Sequence, residues 1–342
     1  MKVKNISVKK RYLIFGVGYI SLLFFIVTFT NPSAAFSIPI TLLGPGVLIY
    51  LTGKISRESF ITKGTVVTAL LLGGGICTFT AGMLNGIASI FFPDYIITVI
   101  FAPFAEELLK LGCLFLLRGY IVSPSTGALY GLYVGAGFTV VEDILYLANT
   151  ANGTEALGTS LTRLLFNPFL HMVCTALIGW IFGIVQGRES AKKRLMVQSY
   201  FLAVILHGVW NLLASTGYSI VWIYGISYTL ALIYILERSI AQDREHIELK
   251  LRQETGNVLL NAEKKLLNHE NIECKGIDTI QWVRALYRNI FAPPGKMEES
   301  YSELVKIRAV IQAQQRYQML GQAEFKPLIP GVYLTDQGWR SF

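Results

Sequence analysis

The sequence predicts an all-α, polytopic helical membrane protein with about eight transmembrane helices and a helical cytoplasmic C-terminal tail. Three observations carry that prediction. Of 342 residues, 53% are hydrophobic and 15% charged, with a mean hydropathy of +0.49, against roughly 25% charged usage in a soluble globular domain. Apolar windows long enough for the roughly 20 residues that a hydrocarbon core needs recur through the first two thirds of the chain. Charge is segregated: residues 1–236 hold 15 Lys/Arg and 8 Asp/Glu, and residues 237–342 hold 15 and 14. This excludes an ordinary water-soluble enzyme and divides the chain into an eight-span domain, 1–236, and a soluble tail, 237–342.

In order, the windows cover about 12–30, 36–52, 65–91, 95–117, 127–148, 164–185, 197–214 and 219–236. Alternate connections hold the basic residues: Lys2 to Arg11, then Lys54, Arg57 and Lys63, then Arg118, then Arg188 to Arg194. The intervening ones hold almost none, with Arg163 at the edge of one. The positive-inside rule therefore places both termini in the cytoplasm. The net charge of +8 is a topology signal here, and no nucleic-acid motif accompanies it. The first window is read as an uncleaved anchor, being longer than a signal-peptide apolar region. In the third, Gly73, Gly74, Gly75, Gly82 and Gly86 predict close helix contacts, and the first three windows need no catalytic reading.

The fourth window places Glu106, Glu107 and Lys110 inside YIITVIFAPFAEELLKLGCLFLL, and the fifth adds Glu142 and Asp143. His171 lies in the sixth, and His207 and Asn211 in the seventh. Ionised groups cost about 2.5–3.5 kcal/mol each at the centre of a lipid-facing helix, so these must meet in a polar interior. The expected topology puts Glu106, Glu142, His171 and His207 roughly 9–16 Å below the outer surface at about 1.5 Å per residue. Carboxylates, histidines and an amide can activate water, protonate a leaving amine and hold an oxyanion, which peptide hydrolysis requires. The residue types leave metal use open, and no HExxH is present. Buried Glu and His would also serve a non-catalytic proton-coupled transporter or membrane sensor, although no second copy of these segments suggests the repeats of a transporter.

EELLK, then GLYVGAGFTVVEDILY, then His171 ahead of Gly179 and Gly183, then HGVWN together resemble the PrsW family of intramembrane proteases over about residues 99–214. A catalytic core at about 95–214 follows. PrsW-like proteins are similar in motif layout to the CAAX-protease and bacteriocin-processing membrane enzymes, which have His where this chain has Glu142. The resemblance implies cleavage of a membrane-anchored substrate, as in the first cut of an anti-sigma factor, in a bacterial-type cytoplasmic membrane. It implies Glu106 as water-activating base beside Glu107, Glu142 holding the water or a metal, and His207 with Asn211 at the oxyanion. His171 completes the cluster as ligand or acid, and Lys110 pairs with a carboxylate. No cofactor is favoured; a divalent metal such as zinc stands as the alternative, on Glu106, Glu142, His171 and His207. Asp143 stands where the family commonly has Asn and takes no assigned role.

Cys77, Cys113 and Cys174 read as core residues, and Cys274 lacks metal-ligand spacing. The tail reads as helical to about Glu270 and again over 298–320, with a regulatory or docking role. The expected partners are a membrane-anchored protein substrate and the lipid bilayer, with no nucleic acid; oligomeric state is not legible.

Overall fold

The computed structural model describes residues 10–58, 61–165, 167–185, 191–216, 220–253, 332–335 and 338–341. Contacts divide the chain into two units, Met1–Asp243 and Arg244–Phe342. A helix lies over each of the eight windows. In chain order they are α1 (Lys10–Thr30), a short α2 (Pro32–Ala35), α3 (Ile38–Glu58), α4 (Lys63–Leu71) and α5 (Thr78–Ala88), followed by α6 (Asp94–Ile96) and α7 (Ala102–Leu117). Next come α8 (Pro124–Ala148), α9 (Gly153–Leu165), α10 (Asn167–Val185), α11 (Ala191–Thr216) and α12 (Ile220–Gln253). Five described stretches are long and apolar enough to cross a membrane, Pro32–Gly53, Lys63–Ala88, Pro124–Ala148, Gly153–Val185 and Arg194–Thr216, with Ile14–Thr30 a shorter apolar helix.

Helix α8 is the hub. Ser123 and Thr126 close a capping box at its start, with Pro124 in the first turn. Nearly every residue from Pro124 to Val141 is buried, the signature of a helix enclosed on all sides. Its glycines admit neighbouring backbones: a Cβ at Gly135 would lie 2.5 Å from the His171 carbonyl oxygen and 2.7 Å from its carbon, so α10 crosses there at backbone distance. On another face, a Cβ at Gly74 would lie 2.6 Å from the Gly137 carbonyl oxygen.

Gly73 to Gly75 belong to a π-helical turn, Leu72–Cys77, between α4 and α5. They make the expected close contacts, with α8 and, at Gly75, with Gly16 of α1. Gly82 and Gly86 do not: both are exposed and would meet nothing within 4 Å. The π turn completes the close approach a few residues earlier and leaves the Gly82–Gly86 face of α5 pointing outward.

A second π turn, Ile97–Phe101, leads into α7. Pro103, one residue into α7, has no N–H to give, so a carbonyl in the preceding turn loses its donor. Asn211 of α11 donates from Nδ2 to the Thr98 carbonyl at 2.9 Å, and Gly208 lets α11 approach the Val99 carbonyl, 2.7 Å from where a Cβ would sit.

The connection near Asn152 contains a helix that hydropathy does not single out, α9, which buries Ala156 and Ser160 and leaves Leu157 and Leu161 exposed. The Asn152 side chain caps it through the Glu155 N–H at 2.9 Å, and Ala156 is fully buried in a cluster with Val27, Ile38 and Ile144. Among the described tail residues an antiparallel hairpin, Val332–Thr335 with Gly338–Ser341, departs from the helical expectation; β-branched and aromatic residues and a two-residue connection suit that form. The tail helices expected over 254–320 lie outside the described residues, as do Cys274 and His269.

Candidate active site

Helix α7 turns Glu106, Glu107 and Lys110 inward, and all three are buried. A fully buried ammonium needs its positive charge answered. Lys110 Nζ lies 2.8 Å from Glu107 Oε1 and 3.9 Å from Glu106 Oε2, so its close partner is Glu107, three residues back. It also sits 4.1 Å from the Phe138 ring centroid and 2.8 Å from His171 Nδ1.

Those contacts set the tautomers of both histidines. An ammonium has only protons to give, so His171 Nδ1 accepts and the neutral ring carries its proton on Nε2. That nitrogen donates to Glu142 Oε2 at 2.9 Å. His207 is the reverse case: Nδ1 donates to Glu107 Oε1 at 2.9 Å, which leaves its Nε2 lone pair facing Glu106 Oε2 across 3.8 Å. The two rings meet edge to face at 4.9 Å.

The structure thus brings Glu106, Glu107, His171 and His207, all buried, and the half-buried Glu142 into one cluster. Asn211 is not among them by any hydrogen bond; its amide serves the Thr98 carbonyl. Two residues without a sequence-based role join the cluster. Asn85 of α5 donates from Nδ2 toward Glu106 Oε1 at 3.4 Å, so the third window does reach the site. Arg163 of α9 pairs through Nη2 with Glu142 Oε2 at 2.5 Å and through Nε with Asp143 Oδ1, and its guanidinium stacks 3.9 Å over Tyr146. Asp143, the acid without a role, is thereby accounted for. Cys113 and Cys174 are buried, with their thiols on the Leu72 and Ala203 carbonyls.

Glu106, His171 and His207 each offer a ligand atom within 4.8 Å of the others. Tetrahedral zinc ligands at about 2.0–2.2 Å from the ion stand roughly 3.4 Å apart, so a modest closure would suffice. Glu106 Oε2 is buried without a hydrogen-bond partner among the described residues. It faces another acceptor, His207 Nε2, an arrangement that calls for a cation or a shared proton between them. With neutral histidines, four carboxylates oppose Lys110 and Arg163, a formal −2 that a divalent cation would cancel. His207, backed by Glu107, has the carboxylate–imidazole support usual for a metal ligand. His171 would offer a lone pair at Nε2 only after its proton moved. Glu142 lies outside the trio, its Oε2 shared between His171 and Arg163. The residues fit a divalent cation.

A family model described as PrsW family intramembrane metalloprotease matches residues 62–236, just over half of the chain. Curated relatives named Protease PrsW are similar to it. The one from Shouchella clausii is 31% identical over 123 residues, 35% of this chain and 55% of that protein. The one from Geobacillus kaustophilus is 34% identical over 93 residues, 27% and 39%, and the one from Halalkalibacterium halodurans 33% over 85 residues, 25% and 37%. The matched stretch spans about half or less of those relatives' length. No solved structure is significantly similar to the chain.

Proposed function

Because the chain belongs to the PrsW family of intramembrane metalloproteases, we propose that it is an intramembrane endopeptidase hydrolysing a peptide bond in a membrane-anchored protein, in the manner of a first cut in an anti-sigma factor. One observation carries the reading: Glu106 Oε2 and His207 Nε2 face each other, buried, across 3.8 Å. Two acceptors so placed can take a water and its proton, or a cation that activates one.

Glu106, His207 and His171 would hold a divalent cation, zinc being suited to these donors, and bound there it would acidify a water and polarise the scissile carbonyl. The remaining roles belong to the chain. In the form without a cation, Glu106 accepts the proton of the attacking water. Glu107 holds His207 Nδ1–H and so aims Nε2 at the reacting atoms, while Lys110 keeps Glu107 ionised and points the proton of His171 outward on Nε2. With no cation on its Nε2, His171 can hydrogen-bond the oxyanion through Nε2–H, Glu142 orients that ring, and the proton taken by Glu106 passes to the leaving amine. Asn211 holds the entry to α7, its amide being committed to Thr98.

We place the site within an eight-span domain whose termini and tail face the cytoplasm of a bacterial-type membrane, with the cluster in the outer half. The test is cleavage of tagged single-span proteins, anti-sigma factors among them, by the full chain in lipid vesicles, beside Glu106→Gln and His207→Ala. Cleavage by the wild type, abolished in both folded variants and by chelation, supports the reading with its cation. Cleavage that survives both substitutions overturns the site, and no cleavage of any substrate would turn attention to a transporter or sensor.

A further inference from the structure

Arg163 lies on α9, away from the stretches that carry the glutamates and histidines, yet it reaches two of the site's acids at once. Glu142 and Asp143 are consecutive on α8, so their side chains leave the helix about 100° apart. A single planar guanidinium spans them, Nη2 to Glu142 Oε2 at 2.5 Å and Nε to Asp143 Oδ1, and the Tyr146 ring one turn on from Glu142 supports its face. The Glu142 oxygen that Arg163 holds is the same Oε2 that accepts from His171 Nε2 at 2.9 Å. Arg163, Glu142 and His171 therefore form one chain of contacts ending at Nε2 of a ring that belongs to the candidate site.

Helix α9 has further contacts besides this one. Ser160 Oγ donates to the Ser37 carbonyl at 3.2 Å, Ala156 is buried against α1 and α3, and Asn152 caps the first turn. The arginine thus stands on a helix that is anchored at other points as well.

We propose that Arg163 is a positioning residue, a two-pronged clamp that holds Glu142 against His171 and so fixes the direction of the His171 Nε2 proton. It rests, for its catalytic consequence, on the endopeptidase reading above. A lysine would have to meet both acids from a single nitrogen, because an ammonium is a point donor without the planar fork whose separate Nε and Nη2 reach them here.

The experiment compares the full chain with Arg163→Gln, Arg163→Lys, Glu142→Gln and the double variant Arg163→Gln/Glu142→Gln in lipid vesicles. Expected for Arg163→Gln is a kcat lower by about 10- to 100-fold, the usual loss when the support of a site histidine is removed, with KM changed less than about twofold. Arg163→Lys should recover only part of it, and the double variant should be no slower than Glu142→Gln, since the clamp acts through Glu142. A second readout needs no substrate: in histidine-15N-labelled protein, assigned with His171→Gln, the His171 ring signals should move alike in Arg163→Gln and Glu142→Gln. A His171 spectrum unchanged by Arg163→Gln overturns the inference, as does unchanged kcat in a wild-type enzyme that cleaves. If the wild type cleaves nothing, the endopeptidase reading fails and the histidine spectrum alone decides about Arg163.

Discussion

Lys110 is the residue on which the cluster's charge balance turns. It is fully buried, touches Glu107 and His171 at 2.8 Å each, and is one of two cations among four carboxylates. Removing it leaves Glu107 as a buried carboxylate answered only by the His207 N–H. Breaking a buried pair by removing one partner costs about 3–5 kcal/mol, so Lys110→Met should lower the thermal midpoint sharply or abolish the folded form. Lys110→Met/Glu107→Gln should recover much of that loss. Unfolding midpoints of the single and double variants check this, and a double variant no more stable than Lys110→Met would refute it. At this scale the sequence was a good guide to membership and a poor one to pairing. Glu106, Glu107, Glu142, His171 and His207 stood out because lipid makes such residues expensive. Their partners did not: Glu106 and Glu107 are both one turn from Lys110, and only side-chain placement selects Glu107. Arg163 read as a loop-edge charge and Asn85 drew no reading, since neither type is rare enough to attract notice without coordinates. The partner of the Asn211 carboxamide was equally hidden, since nothing in HGVWN points to the Thr98 carbonyl ahead of α7.

Among the elements, α8 and α10 matter most to the site, because their backbone contact sets where His171 stands relative to Glu142. A Cβ at Gly135 would meet the His171 carbonyl at 2.5 Å, and backbone cannot swing aside as a flexible side chain can. Gly135→Ala should therefore push α10 away, weaken the His171–Glu142 bond, cost about 1–3 kcal/mol of stability and reduce cleavage. Gly82→Ala is the control: it enters open space on α5 and should be neutral or slightly stabilising, by up to about 1 kcal/mol from helix propensity. Parallel measurement of midpoint and cleavage separates the two, and equal effects at both positions would mean that packing at Gly135 is looser than the crossing suggests. Hydropathy revealed where helices lie because window length is set by the bilayer. It could not reveal the π turns at Leu72–Cys77 and Ile97–Phe101, which keep the same apolar content. It also passed over α9, whose apolar residues are too diluted with polar ones to register as a window and become legible only as a face once the helix period is imposed.

On the scale of the whole Met1–Asp243 unit, the two ends of α8 are tied by different acids. One end meets Arg163 through Glu142 and Asp143, and the other meets Asp243 of α12, beyond the apolar stretch of that helix. Asp243 is buried and accepts hydrogen bonds from Ser123 Oγ at 2.7 Å, from Ser125 Oγ and from the Ser125 N–H at 3.4 Å. Burial pushes its carboxyl up to about 6 from an ordinary 3.8, the three hydrogen bonds opposing the rise only in part. A carboxyl that holds its proton more tightly folded than unfolded favours folding most at low pH. Its contribution is complete below about 4, is lost as pH rises through about 6, and leaves the ionised form costing on the order of 3 kcal/mol above that. Asp243→Asn keeps an oxygen for the serine hydroxyls and removes the charge. The variant should accordingly be more stable than the wild type at pH 7 to 8, with the gap narrowing as pH falls toward 5. Thermal midpoints of both proteins across that range check the sign directly, because taking the difference cancels every other titrating group. A gap that widens on acidification would mean that the serines hold the carboxylate better than burial opposes it, and that the tie between α8 and α12 is strongest when charged.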